Sequence, residues 1–164
     1  MHRLYVQQKV LSLRGRFAVS DEAGNPVYEV EGSLLRIPKQ FTIRDREGRE
    51  RARVWKQPIA WLARFHLEMD GVEVATIQQK LAFLRHRYEV HGPGLSVEGN
   101  LWDMNFSITK DGVPVGRVDK KWSLRDRYAI EVADPRDELL VLALVLTIDH
   151  VKAAQQAAAA SARS

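Results

Sequence analysis

The chain contains no cysteine among its 164 residues. That excludes disulfides, thiolate metal sites, a cysteine nucleophile and S-acylation, and it fits a reducing cytoplasm. No apolar run is long enough to cross a bilayer: a spanning helix needs roughly 20 apolar residues, and the longest run, Leu139 to Ile148, stops at Asp149. The N-terminus, Met1 to Val10, is polar and strand-like, without the apolar core of a signal peptide. Histidines are few. His2, His66, His86, His91 and His150 show no metal-site spacing. No Gly-rich phosphate loop is present, Gly92-Pro93-Gly94 being a hairpin turn. Ser12, Ser33, Ser96, Ser107 and Ser123 lie outside any nucleophile elbow. With no catalytic constellation, no cofactor or metal is expected and the chain does not read as an enzyme.

What is there is a repeat. Six times an aromatic residue is followed two positions later by an aliphatic one: Phe17/Val19, Phe41/Ile43, Phe65/Leu67, Tyr88/Val90, Phe106/Ile108 and Tyr128/Ile130. Residues i and i+2 share one face of a strand, and a near-constant pitch of 18 to 24 residues signals an internally repeated architecture. Most pairs are followed by a turn-forming segment: Asp21-Glu22-Ala23-Gly24-Asn25-Pro26, Asp45-Arg46-Glu47-Gly48, Asp70-Gly71, Gly92-Pro93-Gly94, Asp111-Gly112. Such segments demand tight hairpins. Counting a first strand near Leu4–Val10, the pattern predicts about twelve short antiparallel strands.

The end of the chain differs. Asp134-Pro135 is a helix start, and Asp137 and Glu138 suit its first turn. From Leu139 to Ile148 the sequence is apolar on every side. Such a helix is buried or in a membrane; a buried strand is the other reading of a short apolar run. About eight strands already close a barrel that side chains can fill. Twelve leave a lumen, and an apolar helix roughly 10 Å across fills it. A sandwich, the alternative packing, would not need so uniformly apolar a helix. The expectation is a single all-β domain over 1–152, a closed twelve-stranded antiparallel barrel enclosing the C-terminal helix. An Ala-rich tail, 153–164, is expected to be frayed or disordered.

The segments Tyr5-Val-Gln-Gln-Lys9, Asp21-Glu-Ala-Gly-Asn25, Val97-Glu-Gly-Asn-Leu-Trp102, Lys120-Lys-Trp122, Tyr128-Ala-Ile-Glu-Val-Ala-Asp134 and the closing Leu-Thr-Ile-Asp149 resemble the LURP-one-related family, part of the Tubby C-terminal-like group that includes the phospholipid scramblases. The resemblance runs over about residues 2 to 151 and implies a twelve-stranded barrel around a central helix. Tubby domains bind phosphoinositides through a basic barrel face; scramblases carry acylated cysteines and a calcium segment. This chain has neither cysteine nor an acidic cluster of calcium-loop spacing, so those features do not carry over.

Charge distribution says more than the net +4. In an up-and-down barrel the tight turns gather at one end, acidic on balance. The longer connections gather at the other, with Arg14, Arg16, Arg36, Lys39, Arg64, Arg85, His86, Arg87, Arg125 and Arg127 against only Asp103 and Asp126. Leu13, Leu35, Trp61, Phe83, Leu84, Trp102 and Leu124 are interleaved there. A basic rim with Trp suits an anionic membrane surface; solvated loop arginines with Trp residues plugging the barrel mouth are the plain structural reading. The head-group candidates are Arg14, Arg16, Lys39, Arg85, Arg87, Arg125 and Arg127. The sequence thus predicts a cytoplasmic module that docks peripherally on membranes, or alternatively a protein–protein scaffold domain. No nucleic-acid motif is present. Asp149 stands out as an acid at a helix end that the dipole disfavours.

Overall fold

The computed structural model describes residues 1–7, 16–33, 40–59, 61–80, 87–119 and 127–162, with the backbone alone at 7, 33, 87, 127 and 153–162. The strands are β1 (His2–Gln7), β2 (Arg16–Ser20), β3 (Pro26–Ser33), β4 (Gln40–Arg44), β5 (Glu50–Lys56), β6 (Arg64–Met69), β7 (Val72–Lys80), β8 (Arg87–His91), β9 (Leu95–Asn100), β10 (Asn105–Lys110), β11 (Val113–Asp119) and β12 (Arg127–Val132). A 3-10 turn, Pro135–Asp137, leads into the helix α1 (Glu138–Ala162).

All twelve strands form one antiparallel sheet in the order β8-β7-β6-β5-β4-β3-β2-β1-β12-β11-β10-β9. It curls into a nearly closed barrel. The first and last strands pair in its middle, from His2↔Val132 to Gln7↔Arg127. The sheet's two edges, β8 and β9, lie side by side, joined by the turn at Gly92–Gly94. Among the described residues no hydrogen-bond ladder joins them, so a seam runs down the wall there.

The six aromatic–aliphatic pairs fall on the six even-numbered strands. Their side chains point inward, as the period of two requires. Five pairs are buried, from Phe17/Val19 to Tyr128/Ile130. Tyr88/Val90 is only half-buried, because β8 borders the seam. Through the lumen runs α1. Every residue from Leu139 to Ile148 is buried, and all but Thr147 join one continuous core with the inward face of the wall. Thr147 is tolerated there because its hydroxyl donates to the Ala143 carbonyl at 2.6 Å. The helix continues to Ala162, so Asp149 is not at its end and the dipole conflict does not arise.

One end of the barrel is made of tight turns. Asp70-Gly71 and Asp111-Gly112 take positive φ at both positions (49° and 84°, 51° and 77°), the turn that matches strand twist in two-residue hairpins. Asp21 and Asp45 build a second kind, each accepting two backbone N–H groups across its loop. The helix is tied in at the same end. Asp134 accepts from the Arg136 N–H at 2.9 Å. The Arg136 side chain, bonded to the same carboxylate, holds it down at about 2 against its ordinary 3.8. Glu138 receives the Tyr28 hydroxyl at 2.6 Å and pairs with His2, which fastens the helix start to β3 and β1.

Candidate functional site

The opposite end carries the longer connections and the exit of α1. Strand direction places Arg16, Arg87 and Arg127 there as the first residues of β2, β8 and β12. Arg16 is exposed, with its guanidinium 3.3 Å from Glu29 and 3.4 Å from Glu31; its charge is already offset on the wall. Arg14, Lys39, Arg85 and Arg125 lie outside the described residues.

Two connections at this end are described, apart from residue 60. In the first, residues 57–63 join β5 to β6. Its stem is fastened: the Gln57 N–H donates to the Arg64 carbonyl at 2.8 Å, and the Gln79 N–H to the Ala63 carbonyl at 2.9 Å. Gln57 is held further by His66, whose Nε2 lies 3.0 Å from its Oε1. His66 is in turn stacked on Trp55, 4.1 Å between centroids, with Nδ1 2.6 Å from Glu73. Above this braced stem Ile59 and Trp61 project, 90% and 92% exposed. Lys56 and Arg64 flank the stem. Arg64 donates to the Gln78 amide oxygen at 2.7 Å, and neither cation has a carboxylate partner among the described residues.

The second connection, 101–104, packs on the emerging helix. Lys152 lies over the Trp102 ring, 5.9 Å from its centroid. Deeper, the Asp149 carboxylate accepts from the Tyr128 hydroxyl at 3.3 Å, a phenol pushed well up by burial and then by Asp149. His150 faces the other way, between the rings of Phe41 and Phe65. The adjacent Asp149 and His150 therefore address different walls. Among the described residues no three His, Asp or Glu side chains converge as a metal would require, and no helix is long and apolar enough to cross a membrane.

The sequence model for LURP-one-related proteins matches residues 2–149. The chain belongs to the LURP-one-related family. It is similar to the uncharacterised protein YxjI of Bacillus subtilis, 26% identical over 153 residues, covering 92% of this chain and 94% of that one. Its fold is similar to the crystal structure of an Arabidopsis thaliana protein, with a TM-score of 0.63 at 13% identity, covering 92% of this chain and 91% of that one.

Residue patterns alone did not single out Lys56 and Ile59 in this LURP-one-related barrel. The signal was faint: Pro58 and Trp61 in a polar-flanked connection. At the seam, Ile77, Tyr88, Leu101, Trp102, Ile148, Val151 and Lys152 line a cleft of about 10 Å³, room for a single water. The buried Tyr88 hydroxyl has no hydrogen-bond partner among the described residues, and the lining of the cleft is almost wholly apolar, a surface that holds water poorly. An unpartnered buried hydroxyl costs about 1–3 kcal/mol. Tyr88→Phe is therefore expected to stabilise the barrel by ~1 kcal/mol and raise its Tm by roughly 2–4 °C. A thermal melt checks this, and a lowered Tm would show that the hydroxyl has a partner after all.

Proposed function

We propose that this barrel is a non-enzymatic module that docks on anionic phospholipid surfaces through the end where α1 emerges. The observation that supports it is a contrast between the two ends. At the tight-turn end the cations are committed: Arg46 lies beside Asp21, Arg49 holds Asp45, Arg51 holds Asp70, Lys110 holds Asp137 and Arg136 holds Asp134. At the other end Arg16 and Lys80 are paired with Glu29 and Glu89, but Lys56 and Arg64 are without carboxylate partners among the described residues, and the strand starts Arg87 and Arg127 lie at the same end. An uncompensated surface Lys or Arg contributes about 1 kcal/mol toward an anionic leaflet. In this reading the protein acts in the cytoplasm, peripherally on membranes.

Flotation with phosphatidylcholine vesicles, with and without phosphatidylserine, tests it. Binding is expected to anionic vesicles alone and to weaken as salt rises. The pair Lys56→Glu and Arg64→Glu is expected to abolish it, and Arg46→Glu at the far end to leave it intact. No flotation with anionic vesicles at low salt overturns the proposal and leaves the protein-interaction reading, to be followed by pull-down.

A further inference from the structure

Exposed apolar residues are ordinary when scattered, but two nearly bare large ones on the tip of a single braced turn are not. We infer that the 57–63 turn is an interfacial anchor: Ile59 and Trp61 insert into the head-group and upper acyl region of an anionic bilayer, while Lys56 and Arg64 meet lipid phosphates. The inference rests on the docking proposal and adds an apolar, salt-resistant component to it.

Three features favour a bilayer over a protein as occupant. Among the described residues the exposed apolar tip at this end is narrow, two side chains rather than a broad patch. A bilayer needs no shape-complementary pocket, whereas a protein interface buries a far larger surface. The flanking charges are both positive and have no carboxylate partner among the described residues, which complements an anionic surface. Trp prefers the membrane interface, where its ring is buried and its N–H stays wet. The brace adds a fourth point. Gln57, His66 and Trp55 hold the stem, so its backbone needs little further ordering at the moment of binding.

Ile59 and Trp61 are almost fully exposed, so Ile59→Ser with Trp61→Ser is expected to leave the melt unchanged, which circular dichroism verifies. In flotation with mixed phosphatidylcholine–phosphatidylserine vesicles the double variant is expected to bind at least tenfold more weakly, most clearly at high salt. A second measurement uses vesicles with brominated acyl chains. Bromine is expected to quench part of the wild-type tryptophan emission, and Trp61→Phe, which keeps the apolar tip, to remove that part while still binding. Wild type that binds anionic vesicles equally well with the serine pair, and without bromine quenching, overturns the anchor and leaves purely electrostatic docking. Wild type that binds no vesicle overturns docking and anchor together.

Discussion

Leu144→Asp is expected to abolish the cooperative unfolding transition. Leu144 is fully buried at the middle of the lumen-filling stretch of α1. The substitution removes a buried leucine, which alone costs about 2–5 kcal/mol, and strands a carboxylate in an apolar lumen, which costs several kcal/mol more after relaxation. Against a total stability of roughly 5–15 kcal/mol, nothing is left. Leu144→Ala pays only the first term and is expected to melt ~10 °C lower. The informative companion is Leu142→Asp. Leu142 and Leu144 are about 200° apart around a helix that turns 100° per residue. A helix lying on a sheet would tolerate one of the two. Here both are fully buried, and both are expected to fail in calorimetry. A wild-type melt for either variant would show that α1 does not fill the barrel.

Gly116→Ala is expected to destabilise by about 1–3 kcal/mol, the usual cost of overpacking a filled core. Gly116 sits on β11 facing the first turns of α1. A methyl group there would lie 2.8 Å from Val141 Cγ2 and closer still to Cγ1. Val141 is fully buried and β-branched, so its side chain does not give way cheaply. Val141→Ala alone is also destabilising, by roughly 2 kcal/mol, from two buried methyl groups and the space they leave. The double variant is expected to lose at least 1 kcal/mol less than the sum, because the new methyl occupies the vacated volume; neighbouring sites couple by about 0.5–3 kcal/mol. Additive denaturant midpoints would mean that helix and wall are further apart here than the structure has them.

Much of this barrel is legible in the residues. The aromatic–aliphatic pairs mark every second strand, since inward side chains of a barrel wall must alternate. The stretch 139–148 announces a surrounded helix because no polar face is left for water. Tyr88 illustrates what one sequence conceals: its pair has the same pattern as the other five, yet it borders the seam, where β8 and β9, consecutive in the chain, lie side by side without a ladder among the described residues. The end proposed to dock is legible in the sequence only as a tendency. Loop arginines could be counted, but whether a charge is spent on a neighbour depends on cross-strand register, which puts Glu29 and Glu31 beside Arg16 and leaves Lys56 and Arg64 without such partners among the described residues. Ile59 carries no sequence mark at all, since only the path of the turn leaves it bare.

The pairing of β1 with β12, and the position of α1 after both, also governs how the molecule is made. Synthesis is vectorial, yet the strand that begins the sheet's central pairing must wait for Arg127–Val132, and the core filling, Leu139 to Ile148, leaves the ribosome later still. Until then the nascent chain has a wall with nothing to wrap around and inward faces exposed to water. Non-local pairing of this kind is slow and aggregation-exposed. Closure of the barrel, as distinct from pairing of its consecutive strands, is therefore expected to wait for its last element.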